Sequence, residues 1–548
     1  MIEKPGEIYE LVYGQILEDI VKFSNMAIDG ANQNRIKKIE HVTKDEIRFY
    51  LGFCILTRLE KGESVPFQKF YFRMSRKTYN PFDCCENALN NINFLTFKRF
   101  CEIHKFFYQS PEVKFVPKKI WKKTSSKSNP EGGRWEFVMR KNQPNTPQVT
   151  PDLSLSVKPI EEQFNLLSKR FCLPDVEVGI AIDEVLKKDF GRANPLRLYM
   201  PGKKSKYGFK LYFVNDNRSN FLYKAKIQYP SQFQSIQDRT VQGLTLNLLS
   251  DFFRSGVACT CDRYYSSLTL LTILHRKKIS YLGTCNFNRL DRFMDECIGK
   301  GKLKKIAKNT QKNFVREVIV FSSPLPDSQT NHIWVHLYND KAGKQGCLFV
   351  TNDRLMLLND RFSIKNVPII ETNHSQILEG QTRPQICHTY NMTMGSVDVF
   401  DQYLHKYSVA RKYGNKNRDN LWLRKLTLTY RDMEFINCLC LHKHHMKSYG
   451  KTPLSTDEFF YRLSYDFLKK SESFTLSRKR PRSGPEIIDK GGALTITGRP
   501  MACYVCKIVV PSTKINERVR SRFCCVSCEK PVCLKKHAQV VCSQCFRE

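Results

Sequence analysis

The sequence predicts an α/β domain with a mixed β-sheet, flanked by two helical segments and followed by a cysteine-rich tail that binds zinc. Three observations lead to this fold class. Short apolar runs alternate with helical repeats across residues 158–290. Residues 8–109 and 416–470 carry apolar side chains at steps of three and four, as amphipathic helices do. Pairs of cysteines at metal-binding spacing close the chain.

Charge and composition restrict the class of partner. The 548 residues include 89 Lys and Arg against 53 Asp and Glu, a net charge of +36. Such an excess predicts a polyanionic partner. Nucleic acid is favoured over a membrane because no basic amphipathic helix with a clean apolar face stands out. The polar start MIEKPGEIYE is unlike a secretory signal, and no apolar run approaches about 20 residues, so we expect no membrane partner.

The first 123 residues are predicted to be helical. One helix covers IYELVYGQILEDIVKFSNMAID, a second follows the Thr43–Lys44–Asp45 start, and a third begins with Asn91 as its cap. Residues 124–157 are rich in Ser, Pro, Gly, Asn and Lys, which is typical of a basic flexible linker or insertion.

Strand patterns follow, and two of them reach an aspartate. EVGIAIDEV (residues 177–185) contains Asp183, and GVACTCD (residues 256–262) ends on Asp262. Between them, strands are predicted at residues 197–202 and 207–216, joined by a basic turn that contains Lys203, Lys204 and Lys206.

The second half of the chain changes character several times. Short β patterns at residues 291–382 predict an inserted β-rich subdomain, after which the core resumes at 383–415 and helices at 416–470. Residues 471–499 are a basic linker whose segment 477–485, SRKRPRSGP, resembles a nuclear import signal. We therefore expect the protein in the nucleus.

Three acids form the predicted catalytic group. Asp183 and Asp262 come at strand ends, whereas Asp398 lies in GSVDVFDQ, which reads as the start of an amphipathic helix. Asp401 follows one turn later, on the same helical face. Taken alone, two aspartates there would be ordinary residues of a helix start. Carboxylates from two strands and a helix can gather around two divalent cations, Mg²⁺ or Mn²⁺, and so support phosphoryl transfer.

These motifs resemble the piggyBac-type DNA transposases. The resemblance is carried by IDE at Ile182–Glu184, PGKKSKYGFK (residues 201–210), TCDRYYSS (260–267), YLGT (281–284) and YNMTMGSVDVFDQY (390–403). It implies an RNase H-like catalytic core whose DDD triad is Asp183, Asp262 and Asp398, with Asp401 as a further acid. That acid is a metal ligand, a partner of a ligand or a structural group.

The resemblance also implies a domain organisation. Residues 1–123 and 416–470 would be two segments of one dimerisation and DNA-binding domain, and residues 291–382 an insertion domain. The expected DNA contacts are Lys203, Lys204, Lys206, Arg411, Lys412 and Trp422. The indole of Trp422 would stack near a DNA end or, alternatively, pack in the core of its helix.

The last 49 residues, 500–548, are predicted to bind two Zn²⁺ ions. Eight ligands stand in four pairs: Cys503 and Cys506, Cys525 and Cys528, Cys533 and His537, Cys542 and Cys545. A cross-brace would join pairs one and three and pairs two and four, but spacing does not decide which pairs share an ion. Cys524 could replace Cys525 or remain a thiol.

Together these features predict a cut-and-paste DNA transposase. By resemblance, its substrates are double-stranded terminal repeats and TTAA targets, it acts as a homodimer, and it takes no small-molecule substrate. The alternative is a domesticated descendant that binds DNA or chromatin without transposing. A third hypothesis is a zinc-module adaptor or ubiquitin ligase with an inactive core.

Overall fold

The computed structural model describes part of the chain. Its backbone covers residues 4–33, 36, 38–61, 95–110, 118–123, 133–138, 154–171, 179–189, 194–202, 205–230, 234–235, 237–290, 301, 305, 308, 319–325, 328–338, 346–352, 385–410, 421–469, 487–489, 494–496, 501–502 and 520–521. The chain divides into two compact units, Met1–Glu472 and Ser473–Glu548. Each unit is described by itself.

The described helices belong to the first unit. They are α1 (Pro5–Asn32), α2 (Lys44–Lys61), α3 (Phe97–Lys105), α4 (Ser154–Phe171), α5 (Val241–Leu249), α6 (Leu268–Arg276), α7 (Gln385–Lys406), α8 (Leu421–Ser448) and α9 (Thr456–Lys469). None of these helices is long and apolar enough to cross a bilayer.

The first unit also contains a two-stranded ribbon and a nine-stranded mixed sheet. The ribbon pairs β1 (Lys118–Lys123) with β2 (Gly133–Val138). The sheet is formed by β3 (Ile180–Lys188), β4 (Leu198–Tyr199), β5 (Tyr207–Asp216), β6 (Leu222–Ile227), β7 (Ala258–Cys261), β8 (Ser280–Cys285), β9 (Ile319–Leu325), β10 (Ser328–Tyr338) and β11 (Cys347–Thr351).

The order of the strands determines where the acids lie. It runs β4–β5–β3–β7–β8–β11–β10–β9, and β6 pairs with the same edge of β5 as β4. β3 is antiparallel to β5 but parallel to β7, and β7 is parallel to β8. Because β3 and β7 are parallel, residues that follow a paired position on the two strands lie at the same level of the sheet.

Helices cover both faces of the sheet. On one face, Ile180, Ile182 and Cys261 pack with the apolar side chains of α5 and α6. On the other face, Leu282 and Phe349 pack against the first turn of α7. Because side chains alternate along a strand, each strand residue can be assigned to the α5/α6 face or to the α7 face.

The first helices of the chain pack against the last ones. The Tyr9 hydroxyl of α1 donates a hydrogen bond to Glu434 of α8 at 2.9 Å, and both side chains are buried. Gly52 lets α2 approach α9, since an added Cβ would lie 2.8 Å from the carbonyl oxygen of Ser464. This is the association that the resemblance implies for the two helical segments. Their roles in dimerisation and DNA binding stay predictions.

Several sequence-based boundaries were wrong. Residues 133–138, within the predicted linker 124–157, form a strand, and α4 begins at Ser154. β6, which was not predicted, is a short strand with only weak alternation. The third helix starts after Thr96, whose hydroxyl accepts the Arg99 N–H at 3.2 Å. Asn91, its predicted cap, lies outside the described residues.

The predicted separate β-rich subdomain needs a correction. The described strands of residues 291–382 continue the central sheet, because β11 pairs with β8 and then with β10. The predicted strand VPIIETN lies outside the described residues.

In the second unit only short backbone segments are described. β12 (Ile487–Asp489) pairs with β13 (Leu494–Ile496), inside the segment that was predicted to be a linker. β14 (Met501–Ala502) pairs with β15 (Arg520–Ser521). The eight predicted zinc ligands and Cys524 lie outside the described residues.

Candidate active site

Asp183 and Asp262 lie side by side on neighbouring parallel strands. Ile182 of β3 pairs with Cys261 of β7, and each aspartate is the next residue. Asp262 directly follows β7, as predicted, whereas Asp183 lies inside β3 and not at its end. Backbones of paired strands are about 4.8 Å apart. Both aspartates are partly buried. Gly179, with φ +80, permits this arrangement, because a Cβ there would lie 2.3 Å from the Ala258 carbonyl oxygen.

Both aspartates are on the α7 face of the sheet. Ile182 and Cys261 point into the α5/α6 core, so the next residue on each strand is on the opposite face. Thr260, two residues before Asp262, confirms the assignment by its hydrogen bond to Thr393 of α7. The two carboxylates thus share one face and one level of the sheet.

Short hydrogen bonds orient the two carboxylates. Asp183 Oδ1 accepts the backbone N–H of Glu184 at 2.7 Å, and Asp262 Oδ1 accepts that of Arg263 at 2.6 Å. Asp262 Oδ1 also accepts the hydroxyl of Thr284, from the neighbouring strand β8, at 3.1 Å. Thr284 lies in the YLGT motif, but the sequence alone did not single it out as a site residue.

The side chains behind the acids remain neutral. Burial raises the pKa of the Cys261 thiol well above its ordinary value, and the nearby thiol of Cys259 raises it further. Burial likewise raises the pKa of Tyr265. The Cys261 thiol and the Tyr265 phenol therefore add no negative charge near the two acids.

Helix α7 runs beside β3 in the same direction. Near its beginning, the Thr393 hydroxyl accepts a hydrogen bond from Thr260 at 2.8 Å. Near its end, the Leu404 carbonyl accepts one from Lys187 of β3 at 3.3 Å. Helix and strand are thus joined at two points that bracket the acids.

This arrangement places the backbone of Asp398 at the level of the strand acids. Thr260 pairs with Ala181, and Asp183 lies two residues further along β3, or about 6.6 Å. Asp398 lies five residues beyond Thr393, which is about 7.5 Å along the helix. Measured from the contact between Thr260 and Thr393, the rise to Asp183 along the strand and the rise to Asp398 along the helix therefore agree to about 1 Å.

Asp398 is nevertheless not gathered with the other two acids. Its side chain is exposed, next to the buried Val397. Within the described ranges, no three His, Cys, Asp or Glu side chains converge where they could hold a metal ion. The structure brings Asp183 and Asp262 together, whereas Asp398 shares only the level of its backbone with them.

The helix-start interpretation of GSVDVFDQ is wrong. α7 begins at Gln385, so Asp398 and Asp401 lie in its middle turns, far from the N-terminal amides that a capping aspartate would serve. The first turns of α7 were not recognised from the apolar pattern because they mix polar and apolar residues. Asp401 has a side chain 32% exposed and lies 3.7 Å from His405.

Glu184, the third letter of the IDE motif, does not belong to the site. It lies on the α5/α6 face, where its carboxylate accepts the Tyr265 hydroxyl at 3.4 Å and lies 4.0 Å from Lys210. Asp183 and Glu184 therefore provide a matched pair of adjacent acids on opposite faces.

The expected DNA contacts are only partly described. Lys206 is exposed in the turn before β5, and Trp422 is 4% exposed on α8. The burial of Trp422 favours its interpretation as a core residue. Lys203, Lys204, Arg411 and Lys412 lie outside the described residues.

The donors fit a hard divalent cation. Asp183 and Asp262 offer carboxylate oxygens from one level of one face, which is the ligand chemistry that Mg²⁺ and Mn²⁺ prefer. Paired acids on neighbouring parallel strands, beside a helix with a third acid, are typical of the class of enzymes that cleave phosphodiester bonds with metal ions.

Comparison with known proteins agrees with this class. Residues 133–437, more than half of the chain, match the family model described as transposase IS4. The chain therefore belongs to this transposase family, and the piggyBac-type relationship predicted from its motifs is confirmed.

A solved structure shares the fold. The cryo-EM structure of a piggyBac transposase synaptic complex with hairpin DNA matches with a TM-score of 0.62 at 18% sequence identity. The match covers 100% of this chain and 98% of that one. The mixed sheet with its surrounding helices is thus the fold of a piggyBac transposase.

Proposed function

We propose that this transposase cleaves and rejoins DNA strands by metal-dependent phosphoryl transfer at Asp183, Asp262 and Asp398. The observation that carries the proposal is the shared register of Asp183 and Asp262 on one face of two parallel strands. A structural role would not require two carboxylates there, because adjacent like charges repel and partial burial increases the cost.

The strand order supports an RNase H-like core. Three antiparallel strands, β6, β5 and β3, are followed in space by the parallel strands β7 and β8. In chain order, the first strand of this set, β3, carries Asp183, and the fourth, β7, is directly followed by Asp262. The catalytic acids then come from the centre of the sheet, where neighbouring strands hold the backbone on both sides.

The residues of the chain prepare the site in two ways. The N–H groups of Glu184 and Arg263 and the Thr284 hydroxyl orient two carboxylates. Helix α7 carries Asp398 at their level. Two Mg²⁺ or Mn²⁺ ions held by these acids would stabilise charge on the attacking and leaving oxygens.

The proposal also covers the DNA partner, the assembly and the location of the protein. The net charge of +36 supports a DNA partner, and the structurally similar piggyBac transposase was solved with hairpin DNA. We propose terminal repeats and TTAA targets as substrates, a homodimer as the active form and the nucleus as its location. The cysteine-rich tail would hold two Zn²⁺ ions and contact the DNA ends.

A cleavage assay tests the proposal. The full chain is incubated with Mg²⁺ and duplexes that carry the repeats and TTAA bordering this reading frame. The wild type should nick these ends, and Asp183→Asn and Asp262→Asn should each reduce nicking by more than 1000-fold. Glu184→Gln, one residue from Asp183 but on the opposite face, is the matched control and should cleave normally.

Two results would count against it. Equal losses in Glu184→Gln and Asp183→Asn would mean that the assay reports folding. Full DNA binding by the wild type without cleavage in Mg²⁺ or Mn²⁺ would favour the domesticated, DNA-binding alternative.

A further inference from the structure

A buried lysine joins the strand of Asp183 to the helix of Asp398. Lys187 lies on β3, four residues after Asp183 and on the same face of the sheet. Its side chain is 7% exposed, although lysine is almost never buried without partners.

All three protons of the Lys187 ammonium have acceptors. They point to Ser408 Oγ at 2.7 Å, the Leu404 carbonyl oxygen at 3.3 Å and Asp432 Oδ2 at 3.4 Å. An ammonium has three donors, so the group is fully satisfied. The acceptors come from the end of α7, the segment that follows it, and α8.

The neighbours of Lys187 are connected to each other. The Ser408 hydroxyl donates to Asp432 Oδ2 at 2.6 Å, and the Val409 N–H donates to Asp432 Oδ1 at 2.7 Å. Asp432 is 1% exposed, so its charge depends on these partners. The cluster is a rigid, water-excluded junction.

The junction acts on the C-terminal end of α7. The Leu404 carbonyl belongs to the last turn, whose carbonyls lack helical partners, and a cation there complements the helix dipole. Lys187 thereby joins this end of α7 to β3. Asp401, one turn before Leu404, also interacts electrostatically with the ammonium.

We propose that Lys187 is a positioning residue that holds α7, and with it Asp398, in register with Asp183. The inference rests on the proposed function of the three acids. Lys187 lies four residues beyond Asp183 along β3, about 13 Å, which is too far to touch a metal held by that acid. It acts through the helix, at a distance from Asp398 of six residues, or about 9 Å along the axis.

A second lysine supplies a matched control. Lys224 of β6 donates to the Asn247 carbonyl oxygen near the end of α5 at 3.0 Å, to Ser250 Oγ at 3.4 Å and to Asp251 at 3.1 Å. This repeats the contacts of Lys187 with a carbonyl, a serine and an aspartate. Helix α5, however, carries none of the three acids.

The test compares two double variants of the full chain. Lys187→Met/Asp432→Asn removes the ammonium without leaving a buried charge, and Lys224→Met/Asp251→Asn does the same at the control junction. Single-turnover cleavage should slow by about 10- to 100-fold in the first variant, because misplacement by about 1 Å has effects of that size. The control should stay within about twofold of wild type, and DNA affinity should be unchanged in both.

Hydrogen exchange provides a readout that does not depend on cleavage. Amides at the C-terminal end of α7 should exchange about tenfold faster in the Lys187 variant, whereas those of α8 should not. If the wild type itself does not cleave, the proposed function fails, and this exchange result still decides the role of Lys187.

Three results would overturn the inference. They are wild-type cleavage by the Lys187 variant, equal slowing by both double variants, and unchanged exchange at the end of α7. Should the Lys187 variant not fold, Ser408→Ala replaces it. This milder change removes the 2.7 Å contact and should slow cleavage about 3- to 10-fold, and an unchanged rate would likewise refute the proposal.

Discussion

Thr284→Val should impair catalysis without unfolding the protein. The substitution keeps the shape of the side chain and removes the hydroxyl that donates to Asp262 Oδ1 at 3.1 Å. The Arg263 N–H, at 2.6 Å, remains as a second donor to the same oxygen. A hydrogen bond to a charged group contributes about 1.5–3 kcal/mol. If that contribution is realised at the transition state, cleavage slows about 10- to 150-fold.

Single-turnover cleavage of end DNA measures this loss. Thr284→Ser, which restores the hydroxyl, should recover most of the rate, and the thermal midpoint of Thr284→Val should stay near that of wild type. Undiminished cleavage by Thr284→Val would show that orientation of Asp262 by this hydroxyl is unimportant. Failure of Thr284→Ser to recover activity would show that the methyl group, not the hydroxyl, matters.

Three further predictions concern stability and metal content. Burial raises the pKa of Glu161 to about 7, so its contribution to stability is present below about pH 4.5 and is lost as the pH rises through 7. The free energy of unfolding of Glu161→Gln should therefore rise relative to that of wild type, by up to about 3 kcal/mol, between pH 5 and 8. A difference in unfolding free energy that stays constant with pH in urea unfolding would contradict this. Gly52→Ala should lower stability by about 1–3 kcal/mol because the new Cβ would lie 2.9 Å from Phe467 Cβ, whereas Gly30→Ala, with open space, should not destabilise. Metal analysis of the full chain should find two zinc ions, and Cys525→Ser should lose one; an unchanged count would refute the assignment of Cys525.

The sequence was sufficient to locate the central strands and their acids. β5 has the predicted bounds and β7 lies within its predicted run, whereas β3 (Ile180–Lys188) extends three residues past the predicted run 177–185, so that Asp183 is in mid-strand and not at a strand end. Motif resemblance then identified the family. The register between these strands depends on pairing between residues that are distant in sequence, and no local sequence pattern encodes it.

Other features required the three-dimensional structure. β11 pairs with β8, from which a long segment of the chain separates it. The sequence alone therefore could not show that the predicted β-rich subdomain is part of the central sheet. Lys187 reads as one of two solvated lysines at a strand end, yet it is buried because α7 and α8 close over it. Thr284 gains its role only through the proximity of β8 to the end of β7.

A structure of the full chain with end DNA and Mg²⁺ decides whether the three acids form one metal site. Metal density should lie at the α7 face of the sheet, with carboxylate oxygens of Asp183, Asp262 and Asp398 about 2.0–2.1 Å from the ions. The Asp398 side chain, exposed in the protein alone, should turn towards the two strand acids. Metal bound elsewhere, or a site completed without Asp398, would refute the assignment of these acids.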